Sequence, residues 1–218
     1  MNFFSHAVVA GSFSEDPAFV LGSMLPDFAS MLGFRMPAVG EATVRSGVRF
    51  HHLTDHAFHE LSSFLTWSRD AHIDLREKGL ERGPARAVAH VGIEILLDMA
   101  LGQSASARAA YLAGLEAGRR PEVNASLAWS EAERARLADL LDTLARRGVV
   151  LDTSSELVVE RIRRTLAGRP RLRLATDDPP RVLDWVEATR DLVVSSTGAL
   201  VTELHRELER RLQSDQRA

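Results

Sequence analysis

From Ala87 to Leu101 the sequence is apolar on nearly every side of a helix, and the only ionisable residues in it are His90, Glu94 and Asp98. A helix that is apolar all round has to be buried among other elements. Each step of four residues advances about 40° around a helix, so these three fall on one slanting stripe. A carboxylate taken out of water without a partner is strongly unfavourable. The stretch therefore demands a multi-helix core with polar chemistry inside it. The nearest arginines in sequence are Arg82 and Arg86, and a divalent cation would satisfy all three positions more simply. A solitary histidine on an apolar face is commonly a hydrogen-bonded core residue, and for His90 alone that alternative stands.

The remaining chain also reads as helices. Beyond an N-terminal helix, Asp16-Pro17 is a cap and first-turn pair before the apolar run from Ala18 to Phe34. Residues 41 to 78 form one long helical stretch, with Phe50, Leu53, Ala57, Leu61 and Phe64 spaced by three and four. Gly79 and Gly83-Pro84 end it and open the apolar helix. Ser104 to Gly118 is alanine-rich and helical, and Ser130 with Glu133 forms a capping box opening a helix to Arg147. Further helices cover residues 154–167 and 180–214, and the charged turns from Glu203 to Arg211 are expected in solvent. Only Gly148 to Leu151 has strand character, too short to seed a sheet. The expectation is an all-α fold: residues 1–218 as a single domain, a bundle of about seven to nine helices with any metal site in its core.

Composition narrows the chemistry. The 218 residues, 45% hydrophobic and 26% charged, bury a sizeable core without staples and exclude disorder. The absence of cysteine removes disulfides, thiolate zinc sites, iron–sulfur clusters and cysteine nucleophiles together. A net charge of −3, from 27 basic and 30 acidic residues, gives no overall field for nucleic acid. Lys78 is the only lysine, a bias that genome composition explains. No Lys or Arg precedes Arg35, and no apolar stretch approaches the roughly 20 residues that span a bilayer. A cytoplasmic protein without a membrane span is expected.

Seven of the eight histidines (6, 51, 52, 56, 59, 72 and 90) lie in the first 90 residues. His6 is the only ionisable residue from Met1 to Ser14, and Asp27 the only one from Pro17 to Phe34. His51, Asp55 and His59 make a second stripe spaced by four, flanked by His52 and His56, at the edge of an apolar face. Two imidazoles and a carboxylate on adjacent turns suit a borderline cation such as zinc, iron or manganese; a solvated polar face is the alternative. Asp27 after Pro26 could equally be a helix cap. His72 and His205 sit in charged surroundings and read as surface residues. Together these residues form a pool of nitrogen and oxygen ligands from several helices, the donor set of metal-assisted hydrolysis.

Several ordered strings carry a family likeness. Met1-Asn-Phe-Phe-Ser-His6 resembles the opening of acyl carrier protein phosphodiesterases, which begin Met-Asn-(Tyr/Phe)-Leu-Ala-His. Gly22-Ser-Met-Leu-Pro-Asp27-Phe is similar to their Gly-Asn-Leu-Leu-Ala-Asp-Phe. Gly47-Val-Arg-Phe-His51-His-Leu-Thr-Asp55 matches their Gly-Ile-x-x-His-Arg-x-Ile-Asp segment. Glu94-Ile-Leu-Leu-Asp98 stands where they carry Asp-x-x-x-Asp-His, and Arg169-Pro-Arg171-Leu resembles a late Arg-Pro-Arg-Leu segment. The order is kept from residue 1 to about 175. Departures are Ser23 for Asn, Pro26 for Ala, His52 for Arg, Glu94 for Asp and Met99 for His.

The resemblance implies an outlying member of the histidine–aspartate (HD) metal phosphohydrolases. Such an enzyme is helical, uses a divalent cation (usually Mn2+, with Zn2+, Fe2+ or Mg2+ as alternatives) and hydrolyses the phosphodiester joining 4'-phosphopantetheine to a carrier-protein serine. It implies His6, Asp27, His51 and Asp55 as metal residues and Asp98 as a further ligand or base. His90 is an additional ligand candidate, and Asp98, Glu94 or His59 could handle protons. Arg169 and Arg171, in the densest basic run of the chain, are candidates for contacting an acidic carrier protein; an exposed helix face and loop is the alternative. The Gly22 to Asp27 string also resembles zinc-dependent phospholipase C-like hydrolases, so a phospholipid head group or another small phosphoester is a second candidate substrate. The third reading is a non-catalytic helical interaction protein. No Gly-x-Ser-x-Gly elbow or phosphate-binding glycine loop occurs.

Overall fold

The helices begin and end where local chemistry directs them. In a computed structural model that describes residues 1–149 and 154–215, α1 spans Phe3–Phe13 and α2 Pro17–Leu32. Asp16 caps α2 by accepting from the Ala18 N–H at 2.8 Å, and Gly33, at φ 73°, closes it in the left-handed conformation that a side chain would strain. Helix α8 (Glu131–Arg147) opens on the expected capping box, Ser130 and Glu133 each satisfying the other's backbone N–H. Ser104 caps α6 (Ala105–Arg119), and α5 (Arg82–Gly102), α9 (Ser155–Leu166) and α10 (Asp178–Asp215) fall close to their expected ranges. The fold is all-α. Among the described residues there is no strand, only an isolated bridge between Val39 and Leu127, and no helix long and apolar enough to cross a membrane.

Three expectations need adjustment. The stretch from 41 to 78 is two helices, α3 (Ala42–Glu60) and α4 (Ser62–Glu77), broken at Leu61. Leu61 adopts a non-helical conformation with its side chain buried, and the Ser62 and Ser63 hydroxyls donate to Glu203 at 3.1 and 2.6 Å. The break is stabilised by tertiary partners, which helical periodicity cannot register. A short helix, α7 (Pro121–Ala125), was not anticipated. The turns from Glu203 to Arg211 are not uniformly solvated, because Leu204 and Leu208 are fully buried. Gly148, at φ 62°, ends α8; Val150 and Leu151 of the strand-like segment lie outside the described residues.

Chain contacts divide into two compact units. The first comprises residues 1–57, 101–150 and 208–218; the second comprises 58–100 and 151–207. In the first, α1 packs on α2 and α6, and α6 also packs on α7 and α8. Helices α2 and α3 cross there at Gly22 and Gly47. A Cβ on Gly22 would stand 2.2 Å from the Val44 carbonyl oxygen, and one on Gly47 would stand 2.1 Å from that of Phe19. Only two glycines let these backbones meet. In the second unit α5, α9 and α10 share a core in which the fully buried Trp185 lies against Gly92, with Ile162 beside them. Trp129 is also buried, and its indole N–H donates to the Arg35 carbonyl at 2.9 Å.

Candidate metal centre

The glycine crossing sets the geometry of the first unit's polar core. It brings the α2 backbone close enough for the His51 Nδ1–H, on α3, to donate to the Ser23 carbonyl oxygen at 2.8 Å. A carbonyl only accepts, so this bond fixes the tautomer and leaves Nε2 as the nitrogen of His51 that carries a lone pair. Pro26, inside α2, has no N–H to return to the Gly22 carbonyl, which loosens the helix ladder one turn before Asp27.

His6, from α1, stacks on His51 with ring centroids 3.9 Å apart. It has no exposed surface, and neither of its ring nitrogens has a hydrogen-bond partner. Asp55 Oδ1 is 3.7 Å from His6 Nε2, beyond hydrogen-bond reach, and 3.0 Å from the Met1 amino nitrogen. Asp27, half-buried, completes the group: one ligand atom each from His6, Asp27 and His51 lie within 4.8 Å of one another. Burial pushes the His6 imidazole down to about 3, helped by the neighbouring His51 and opposed by Asp55. Burial likewise lowers His51 to about 4 against the opposing Ser23 carbonyl bond. Both rings are neutral at pH 7, the form that ligates metals.

The fit to a cation rests on His6. Two orphaned nitrogens in a dry interior leave desolvation uncompensated, at about 1–3 kcal/mol for each unsatisfied group. A divalent ion between His6, Asp27 and His51 would occupy one of these nitrogens and neutralise part of the carboxylate charge. Two imidazoles and a carboxylate from three helices match the donor set of borderline cations.

The second unit holds a different constellation. His59, in the last turn of α3, and His90, on α5, face each other with Nε2 atoms 3.3 Å apart and ring planes within 3° of parallel. Glu94 Oε1 lies 3.5 Å from His59 Nε2 and 3.2 Å from His90 Nε2. Burial alone would raise the Glu94 carboxyl, but hydrogen bonds from His59 and His90 outweigh it and hold the group well below the usual carboxylate range. The stripe on α5 is thus divided: His90 and Glu94 join His59, whereas the buried Asp98 meets the Arg161 guanidinium at 3.5 Å. The arginine that reaches this stripe comes from α9 and not from the neighbouring Arg82 or Arg86, because sequence distance does not limit a tertiary partner.

Other candidates are placed as follows. His52 and His56 lie on the exposed side of α3. His72 and His205 are half-buried, not surface residues, and the His72 Nδ1 is enclosed without a hydrogen-bond partner. Within the basic run, Arg163 and Arg164 bind Glu160 on their own helix, while Arg169 and Arg171 are exposed in the connection between α9 and α10. Sequence reasoning missed the Ser23 carbonyl, whose only trace is the Gly22 and Gly47 pair, and missed Phe64, which packs edge-on against both His59 and His90. The chain matches no family model, no curated protein and no solved structure.

Proposed function

We propose that the protein is a divalent-metal-dependent phosphodiesterase whose cation is held by His6, Asp27 and His51, with Asp55 beside His6. The observation that carries the reading is His6: a fully buried imidazole with no hydrogen bond at either nitrogen, stacked on a second histidine whose tautomer is already fixed for ligation. A purely structural histidine would have found a partner, since buried polar groups are almost always bonded.

When bound, a cation in such a site acidifies water toward neutral pH and polarises a phosphoryl oxygen. The chain's own contribution is orientation. Ser23 locks the His51 ring, α1 delivers His6 in its neutral form, and Asp27 supplies the negative charge that makes a divalent ion stable there. Manganese is the metal that the motif likeness favours, with zinc as the alternative suited to the two imidazoles.

The proposed substrate is holo-carrier protein, on the strength of the ordered motifs from Met1 to Leu172. Water would attack phosphorus, the bond from phosphorus to the carrier's serine oxygen would break, and the products would be 4'-phosphopantetheine and the free serine hydroxyl. Exposed Arg169 and Arg171 would meet the acidic carrier. A cytoplasmic location goes with that substrate.

The test is intact-mass analysis of holo-carrier protein incubated with metal-loaded protein. Loss of the phosphopantetheine group that disappears with chelator and in His51→Ala supports the reading. Hydrolysis of an aryl phosphodiester without action on the carrier moves the substrate to a lipid head group or another small phosphoester. Inertness toward both, in folded and metal-saturated protein, overturns catalysis and leaves a helical interaction module.

A further inference from the structure

We propose that His59, His90 and Glu94 form a second divalent-cation site, self-contained in the second unit and open to solvent at one coordination position. The inference stands on this triad's geometry and does not rest on the phosphodiesterase reading.

Three donor atoms define a nearly equilateral triangle. Its edges are 3.3 Å between the two Nε2 atoms, 3.5 Å from His59 Nε2 to Glu94 Oε1, and 3.2 Å from His90 Nε2 to the same oxygen. Ligands about 2.0–2.2 Å from a tetrahedral zinc-type ion stand roughly 3.3–3.6 Å from one another. The triangle therefore has the dimensions of one face of such a coordination sphere without rearrangement.

Hydrogen bonding closes two edges of the same triangle, those from His59 and His90 to Glu94, and leaves the third unmade. An imidazole nitrogen has a single in-plane direction, which holds either a proton or a lone pair. If both Nε2 atoms carry protons and donate to Glu94, no hydrogen bond joins the two nitrogens across their 3.3 Å separation. If one donates to the other, the accepting ring has no proton for Glu94, and its nitrogen faces a carboxylate oxygen at 3.2–3.5 Å. At most two of three edges close. A cation at the centre satisfies all three atoms at once, with both rings neutral and Glu94 ionised.

The surroundings fit an open site. Glu94 is the buried member, with its side chain 9% exposed, while the His59 and His90 side chains are 30% and 44% exposed. The triad thus rises from the core and turns its remaining face to water. Phe58 and Phe64, both buried, pack edge-on beneath the imidazoles, Phe58 against His59 and Phe64 against both rings. An apolar floor of this kind holds ligand rings in place and lowers the local dielectric. His90 and Glu94 sit one turn apart on α5, so a single helix presents two of the three ligands. Three protein ligands with a free fourth position is the arrangement of zinc sites that take a water or a substrate oxygen. Nitrogen and oxygen donors without thiolate suit zinc, or a similar borderline divalent ion.

The experiment uses the full-length His51→Ala protein, in which the first unit's cluster is disabled. Chelator-treated protein is titrated with Zn2+ against a chromophoric chelator and, separately, with Co2+ followed by its visible bands. One tight equivalent of zinc and a four- or five-coordinate cobalt spectrum are expected. Adding His90→Ala should weaken zinc by more than the ~10–100-fold that loss of an outer-shell partner costs. Glu94→Gln, nearly isosteric and free of a cavity, should do the same. Circular dichroism confirms folding, and His52→Ala, an exposed histidine on the same helix as His59, controls for casual surface binding and should leave the affinity unchanged. A folded His51→Ala protein that takes up no zinc, or one whose zinc affinity survives both His90→Ala and Glu94→Gln, overturns the site. Carrier-protein hydrolysis is a separate readout, so failure of the enzymatic proposal would leave this one untouched.

Discussion

His51 donates its Nδ1 proton to the Ser23 carbonyl across the crossing of two helices, at 2.8 Å, and so presents only Nε2 to the polar core. The bond exists because Gly22 and Gly47 let α2 and α3 meet without side chains between them. Gly22→Ala or Gly47→Ala would drive a methyl group into a backbone carbonyl, which cannot rotate away. Overpacking typically costs about 1–3 kcal/mol, and a blocked backbone places both variants toward the upper end. Urea midpoints measure that loss. Metal affinity should fall in parallel, since separating the helices also removes the anchor of the His51 ring.

His6 gives a prediction of opposite sign for two properties. Replacing it with leucine, of similar volume, removes two buried and unbonded nitrogens from the interior. His6→Leu is therefore expected to be more stable than the wild type in the presence of chelator, by about 1–3 kcal/mol. Its affinity for manganese or zinc should collapse. Calorimetric unfolding with and without metal reads both effects, and a variant that loses stability in chelator would mean that His6 has a structural partner.

The helical ends were legible because caps are local: Asp16-Pro17 and Ser130 with Glu133 state their roles within four residues. The ligand candidates stood out because an ionisable residue inside an apolar run needs a partner, be it a cation, a hydrogen bond or, as for Asp98, an arginine. Spacing by four, however, says which residues share a helix face and not which neighbour that face meets. His51 and His59 belong to one stripe in the sequence, yet the structure gives the first to His6 and the second to His90 and Glu94. Asp98 found Arg161, and Leu61 broke a helix that periodicity drew as continuous, both through partners more than sixty residues away. Tertiary contacts of that kind leave no trace in a window of one or two turns.

The Asp98 and Arg161 pair predicts an asymmetric cost. Removing the guanidinium leaves Asp98 at 5% exposure without this counter-charge. Breaking a buried pair from one side costs about 3–5 kcal/mol when both groups are enclosed. Arg161 is 29% exposed on its side chain, so solvent screening reduces the figure to about 1–3 kcal/mol. Arg161→Ala should show that loss by denaturant unfolding, whereas the double change Arg161→Leu with Asp98→Leu should recover most of it, because neither partner is then left charged in the core.

Acid should destabilise the metal-free protein earlier than its carboxylates alone would dictate. His6 and His51 titrate at about 3 and about 4 when folded, against 6.5 for an unperturbed histidine. Between those values the unfolded chain binds more protons than the folded one, so stability is fully present above about pH 6.5 and falls as the pH drops toward the folded values. Each group contributes a slope of up to about 1.4 kcal/mol per pH unit, and the two together up to about 2.7 between pH 6 and pH 4. Glu94, held low by its histidine partners, adds to the loss once the pH passes below 4.5. Urea midpoints measured from pH 7 to pH 4.5 in the presence of chelator test the slope. His6→Leu should halve it, and a wild-type midpoint that stays flat down to pH 5 would mean that the two imidazoles take up protons in the folded state as readily as in the unfolded chain, so that burial does not hold them neutral.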